Sequence, residues 1–492
     1  MNAKDLGALW PLLFPAAGAC FIPLASLDRE HDTAKWIRAA IYLVALAALG
    51  GSFYYLASLW ATGAQPSFEA LRMDRLAQFG GLFITVAAAL TVMQSWDHFH
   101  QEGWVKAETI SLLLFSATGM MLFTATSNLL LMFLGLELLS VPLYALVATV
   151  RTRGDAPEGA MKYFITGAVA SSCFLMGTVL LYGLTGTFDL SAAMAAKAGL
   201  DPVALAGLAL LMLGFLFKVS AVPFHQWTPD AYCASPHPIA GFMSVATKGA
   251  AILALMRAFP FVLAGGAAGP KVQHAFALLA VLTLVIGNLT ALVQTDAKRM
   301  LAYSAISHAG YLLLGFVAGT PAAMTGILFY LAIYLAMNMG AFGLFTAFGL
   351  VGDDTRYDAL RGLGWKRPLM GLCAAVCMLS LAGIPPFGGF FGKYLIFKEL
   401  VATGHVSLAV LGVVASLVSL AYYLRFLIAL FVQAPTEALE RKRAEQPEAP
   451  SDLARATVLI ASLIVVMGGF AQGYLVPAFA QRAVTDWLNL IR

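Results

Sequence analysis

Charge is what this 492-residue chain has least of: Lys, Arg, Asp and Glu together make up 11% of it, while 60% of its residues are hydrophobic. An ordinary soluble domain carries about one quarter charged residues, so a chain of this composition cannot hide its apolar surface in water. Long hydrophilic stretches are also missing. The longest, Thr436 to Asp452, is too short to fold as a domain of its own, which excludes an attached soluble enzyme. The five cysteines, Cys20, Cys173, Cys233, Cys373 and Cys377, lack the paired spacing of a disulfide framework, a metal site or a cluster site. Cys373 and Cys377, one helical turn apart in an apolar run, read as small buried thiols. The glycine-rich stretch Ala264 to Gly269 follows no strand and lacks phosphate-cradling spacing, so it reads as a flexible turn and not as a nucleotide loop. Neither a resident cofactor nor a nucleic-acid partner is expected.

What the chain has instead is a succession of apolar runs of about 20 to 28 residues, long enough to cross a hydrocarbon core about 30 Å thick at 1.5 Å per residue. They begin near residues 6, 34, 74, 108, 127, 159, 203, 238, 271, 299, 321, 368, 405 and 453, which predicts an all-α integral membrane protein of about fourteen transmembrane helices. The first run, Leu6 to Leu27, holds prolines and has only Lys4 before it, so it reads as a retained helix and not as a cleaved signal peptide. Ser127 and Asn128 form a very short turn between the fourth and fifth spans. About sixteen Lys and Arg fall in the odd-numbered loops against about eight elsewhere, among them Arg151, Arg153, Lys298, Arg299, Arg356, Arg361, Lys366, Arg367 and the Arg441 to Arg443 cluster. That bias predicts cytoplasmic odd loops and both termini on the periplasmic side of a bacterial inner membrane.

Cut into five-helix blocks, the chain shows a repeat. Residues 108–264 (helices 4–8) and 271–432 (helices 9–13) are nearly equal in length, flanked by residues 1–100 (helices 1–3) and 453–492 (helix 14). Helix 7 breaks at Ser220-Ala221-Val222-Pro223-Phe224 and helix 12 at Ala382-Gly383-Ile384-Pro385-Pro386-Phe387, at nearly the same offset from each block's start. Five is odd, so the second block begins on the opposite membrane face and the two are related by inversion. Proline removes a backbone donor, and groups freed in hydrocarbon persist only where protein or water satisfies them. The paired breaks therefore point to a wet interior path between the blocks.

Four ionisable residues stand inside apolar runs: Glu137, Lys218, Lys248 and Lys393. At about 2.5 to 3.5 kcal/mol per charge on insertion scales, they cannot all face acyl chains. A carboxylate beside a lysine keeps it charged, and withdrawing that carboxylate in a desolvated site frees the proton, so Glu137 and Lys218 read as a switch. The bland alternative is a static buried ion pair. Lys248 and Lys393, one in each block, would accept and release the proton through water, although Lys393, nearer a span end, could instead snorkel to the headgroups. His225 and His308 suit a relay or, equally, hydrogen-bonded packing. His98, His100 and His405 read as loop residues. Asp296, Lys298 and Arg299 read as an anchoring cluster at a span end. Glu158 and Lys162, spaced i, i+4, read either as a helix-surface pair or as a lateral charge relay.

The run Val222 to Tyr232, continuing through Ser235-Pro236 to Lys248, resembles the signature of the antiporter-like subunits shared by respiratory complex I, the NADH:quinone oxidoreductase, and the multisubunit cation/proton antiporters. Lys298 to His308 resembles a second block of that signature, and Leu381 to Pro386 leading to Gly392-Lys393 a third. Within the family the wording is most similar to the N-type subunits, and the chain shows no room after its last span for the long lateral helix of the L type. The resemblance implies a 14-helix fold of two inverted five-helix repeats, with Glu137, Lys218, Lys248 and Lys393 as the proton-translocating residues and Lys162, with Glu158 beside it, as the linking lysine. It further implies that FMN, iron-sulfur clusters and quinone belong to partner subunits. Among the membrane partners it implies a second antiporter-like subunit and small membrane subunits. Two departures stand out: the Pro385 to Gly389 run is richer in proline and glycine than in some relatives, and residues before 100 show little likeness. Competing readings are a cation/proton antiporter without an oxidoreductase, a related membrane-bound redox module with another electron donor, and a purely structural subunit whose buried charges orient helices.

Overall fold

The computed structural model describes residues 5–24, 35–101, 107–150, 154–190, 201–259, 269–350, 354–445 and 452–489. Arg151, Arg153 and residues 264–268 of the expected glycine-rich turn lie outside them. The described chain is helical apart from a two-stranded antiparallel hairpin, Ser67–Phe68 with Leu71–Arg72. The helices in chain order are α1 (Trp10–Leu24), α2 (Lys35–Thr62), α3 (Arg75–Gln101), α4 (Ala107–Thr124), α5 (Leu129–Val147), α6 (Asp155–Thr185), α7 (Pro202–Val219) and α8 (Trp227–Ala234). They continue as α9 (His237–Ala258), α10 (Gly269–Leu292), α11 (Ala297–Ala318), α12 (Pro321–Ala347), α13 (Pro368–Ala382), α14 (Gly388–Ala402), α15 (Val406–Phe431), α16 (Glu437–Glu445), α17 (Asp452–Phe470) and α18 (Arg482–Asn489). Among the described residues, twelve helices are long and apolar enough to cross a bilayer; α1 and α13 are apolar but shorter.

Polar residues in the short connections set where the helices start. Asn128 accepts hydrogen bonds from the Leu130 and Leu131 amides, Asp201 from Val203, Asp296 from Arg299 and Thr320 from Ala323, so each satisfies donors that a helix N-terminus leaves orphaned. Pro202, Pro321 and Pro368 occupy first helical positions, where a missing amide costs nothing. Small residues bring helices together. A Cβ on Gly119 of α4 would lie 2.3 Å from the Leu139 amide nitrogen of α5, and one on Gly135 would lie 2.7 Å from that of Phe123. Such backbone contact is how helices associate where no hydrophobic force drives them together.

Helices α9, α11 and α12 are enclosed almost completely, whereas α2 and α15 turn broad apolar faces outward, with Leu43, Tyr54, Val410 and Leu417 exposed as lipid-facing residues are. The N-terminal part, for which the sequence suggested only spans, reaches this centre: α3 is mostly buried, and its Gln94 amide donates to Met339 of α12 and Thr457 of α17. His98 and His100 lie in α3 and not in a loop. His98 is buried, because α3 runs on to Gln101 and its last turn packs against α9, where the rings of His98 and His237 are 5.2 Å apart. His405 does stand outside a helix, directly before α15.

One buried ion pair ties the N-terminal helices to the centre. Arg257 of α9 grips Asp74, the residue preceding α3, through two hydrogen bonds of 2.8 and 2.6 Å, while its Nε donates to the Thr124 carbonyl. Removing one partner leaves the other charge buried alone, so Asp74→Leu or Arg257→Met is expected to cost about 3–5 kcal/mol, and the double replacement clearly less. Thermal unfolding of the three variants in detergent checks this; equal costs for single and double replacements would refute it.

Candidate functional site

The two breaks close in the same way. At the end of α7, Ser220 takes a left-handed conformation (φ 65°) and the amides of Ser220 and Ala221 turn back to the carbonyls of the last helical turn. At the end of α13, Gly383 (φ 86°) and Ile384 do the same. Each is a helix C-terminus capped within the membrane region. The amides beyond each break are held by side chains: Val222 N–H donates to Thr283 Oγ1 at 3.0 Å and Gly389 N–H to Ser380 Oγ at 3.1 Å.

Carbonyls are the harder half of the problem, and a lysine answers it in the second break. Lys393 Nζ donates to the Leu381 and Ala382 carbonyls at 2.9 and 3.3 Å and to Ser416 Oγ at 2.9 Å, and Ser416 in turn donates to Ala382. Lys393 is 3% exposed, so it does not snorkel: the carbonyls left without amide donors at the end of α13 hold it inside. Its ammonium also stands 4.4 Å from the centre of the Tyr311 ring.

Lys218, 1% exposed, ends α7 at the first break. No ion pair joins it to Glu137 among the described residues, so the bland alternative of a static contact pair is absent there. Its Nζ donates to the Tyr163 hydroxyl at 3.1 Å and lies 4.8 to 5.3 Å from the ring centres of Tyr163, Tyr144 and Phe217. Ring faces and a hydroxyl receive the ammonium without bringing a second full charge into the interior. Glu137, on α5, is half-buried, with Oε1 enclosed and unpartnered among the described residues.

Lys248, fully buried, follows a single π turn (Met243–Thr247) in α9 and donates to the Ala305 carbonyl of α11 at 2.5 Å. One turn on from Ala305, His308 is held between Tyr330 Oη (2.5 Å from Nδ1) and Tyr423 Oη (3.0 Å from Nε2), and Tyr423 also meets Ser304. Tyr311, the next turn of the same helix, brings this group to Lys393. Lys248, His308 and Lys393 thus lie along one run of polar side chains from α9 through α11 to α14. His225, in the turn after the first break, is half-buried with Nδ1 unpartnered among the described residues.

Glu158 and Lys162 form the expected i, i+4 pair at 2.7 Å, but Lys162 also meets Asp230 at 2.9 Å, and Asp230 meets Arg299 at 2.8 Å. The exposed charges of α6 are thereby strung through α8 to α11. Arg299 belongs to this string, while Asp296 caps α11 and Lys298 holds the Cys233 and Ser235 carbonyls.

Sequence reasoning missed the tyrosines 163, 311, 330 and 423, Ser416, and Asp230. Tyr311 stands at i+3 from His308, a spacing that would have placed it on the same face; Tyr163 and Ser416 give no such sign, because their partners are distant in sequence.

The family described as NADH:quinone oxidoreductase/Mrp antiporter, TM, matches residues 126–419, a segment that runs from before Glu137 to beyond Lys393. NADH-quinone oxidoreductase subunit N of Salinibacter ruber is 40% identical over 96% of this chain and 97% of its own length, and that of Trichlorobacter lovleyi is 37% identical over 90% and 91%. The chain belongs to the NADH-quinone oxidoreductase subunit N family. A chain in the structure of respiratory complex I from Thermus thermophilus with bound aureothin aligns with a TM-score of 0.79 at 36% identity, covering 96% of this chain and 99% of that one. A chain of the Mrp complex from Dietzia sp. shares the fold, with a TM-score of 0.84 at 20% identity over 100% and 99%.

In this subunit N family member, Tyr163→Phe leaves the Lys218 ammonium without its hydroxyl partner. A loss of about 1.5–3 kcal/mol is expected in detergent melts, and Tyr163→Phe with Lys218→Met together should lose less. An unchanged melt for the single variant would show that the pair is not held by this bond.

Proposed function

We propose that the chain is a proton-translocating, non-redox membrane subunit of an NADH:quinone oxidoreductase, a respiratory complex I, of a bacterial inner membrane. Protons move through Lys218, Lys248 and Lys393, with Glu137 as the charge that biases Lys218, His225 and His308 as relays, and water between them. Glu158 and Lys162 link the path laterally. Quinone reduction in partner subunits, which carry FMN, iron-sulfur clusters and quinone, supplies the energy; a second antiporter-like subunit and small membrane subunits adjoin this one.

The observation that carries this reading is the set of lysines buried inside a membrane bundle without a carboxylate in contact. A charge so placed is costly and is functional by default. Counting α1 and the broken α13/α14 pair with the longer helices makes fourteen crossings. The identically closed breaks support two inverted repeats, 108–264 and 271–432, between residues 1–100 and 453–492. The repeats have diverged in charge. The place two residues before the left-handed cap holds Lys218 in the first and Leu381 in the second; ten residues after the cap stand Asp230 and Lys393. Lys and Arg concentrated in the connections before α6, α11 and α17 and between α12 and α13 support a cytoplasmic position for those connections and periplasmic termini.

Moving one charge against a membrane potential costs about 2.3 kcal/mol per 100 mV. Rearranging a few interactions of a buried ammonium, each worth about 1.5–3 kcal/mol, is of that size. In the assembled complex in proteoliposomes, Lys218→Ala is expected to lower proton pumping and NADH-driven quinone reduction together, and Lys393→Ala to do the same. Full pumping by Lys218→Ala would overturn the reading and favour a structural role; pumping without any redox partner in the native assembly would favour the antiporter.

A further inference from the structure

Helix α12 carries Tyr330, Tyr334, Asn338, Phe342 and Thr346, every fourth residue, which the helical period puts on one face. All five are buried. Tyr330 meets His308, but the hydroxyls of Tyr334 and Thr346 and both amide atoms of Asn338 have no hydrogen-bond partner among the described residues. Interiors rarely leave a row of polar atoms so, and bound water is the ordinary partner of such groups. The row has a polar end at each side. At its inner end the rings of Tyr334 and His308 are 5.1 Å apart. At its outer end, on the membrane face where Lys298 holds the Ser235 carbonyl, the His237 ring lies 5.3 Å from that of Phe345 and 5.2 Å from that of His98. Both histidines are buried, and neither takes part in the path described above.

We propose that this face of α12 lines a water-filled proton entry branch, from the His98–His237 pair past Thr346, Asn338 and Tyr334 to His308, with Phe342 as its dry constriction. An imidazole can accept at one nitrogen and release from the other, so the pair takes protons from the Lys298 face and passes them to water on the row. Phe342 is the one apolar member of the row. Its ring meets Tyr232 at 6.2 Å and its Cβ would lie 3.2 Å from a Cβ on Gly241, so water passes this level only when the ring turns aside. The branch rests on the proton-translocating reading above and supplies its entry from one membrane face.

Thr346→Val and Asn338→Leu test it in the complex assembled in proteoliposomes, with Thr346→Ser and Asn338→Ser as variants that keep a polar atom on the row and Lys248→Ala as the control for the main path. Thr346→Val keeps the side chain's shape and replaces an unpartnered hydroxyl by a methyl, so a purely structural role leaves melting nearly unchanged and pumping unchanged. The branch predicts unchanged or raised melting, proton uptake lowered at least about tenfold by Thr346→Val and Asn338→Leu, and uptake kept by the serine variants. Wild-type uptake in Thr346→Val, or in an assembled Asn338→Leu, while Lys248→Ala loses it, would overturn the branch and leave the main path standing. Wild-type uptake in Lys248→Ala would instead overturn the main path.

Discussion

Everything in this structure follows from two helices that stop inside the membrane. A helix crossing lipid satisfies its own backbone; one that ends halfway exposes carbonyls that hydrocarbon cannot accommodate. Here each end is wound back by a left-handed residue, and in the second the remaining carbonyls of Leu381 and Ala382 are taken by the ammonium of Lys393. The break and the charge therefore stabilise each other: the carbonyls give the lysine a polar place to sit, and the lysine gives the carbonyls their donor. Elsewhere the lysines find other acceptors: Lys248 donates to the Ala305 carbonyl inside the unbroken α11, and Lys218, at the first break, donates to the Tyr163 hydroxyl.

Much of the fold was legible because a membrane makes composition and span length decisive. Apolar runs marked the helices, and the proline clusters at Pro223 and at Pro385-Pro386 marked the breaks; the capping roles of Asn128, Asp201, Asp296 and Thr320 emerged only from the structure. The buried lysines were legible too, since a lone charge in an apolar run has few explanations. What each lysine touches was not. Lys218 turned to the aromatic rings of α5 and α6 and not to Glu137, and nothing in local spacing announces an acceptor 55 residues away. The histidines at the end of α3 were misread for a related reason: a polar segment after an apolar run looks like a loop unless one knows that α9 packs over it.

The surroundings of the lysines share a chemistry. Tyr163, Tyr311, Tyr330 and Tyr423 each combine a ring that a cation can approach with a hydroxyl that donates and accepts. Such a lining supports an ammonium without trapping it, as a carboxylate in contact would. Among the described residues no carboxylate contacts Lys218, Lys248 or Lys393: Glu158 and Asp230 pair with Lys162 and Arg299 where the bundle is partly exposed, and buried Asp74 pairs with Arg257.

Lys248, His308 and Lys393 are proposed to belong to one continuous hydrogen-bonded path completed by water. Cryo-electron microscopy of the assembled complex, at a resolution that reveals ordered water, tests it most directly. Waters are expected to link the Lys248 ammonium through His308 and the Tyr311 level to Lys393, each within about 3 Å of the next polar atom. A dry, apolar interval between Lys248 and Lys393 in every state of the complex would contradict it.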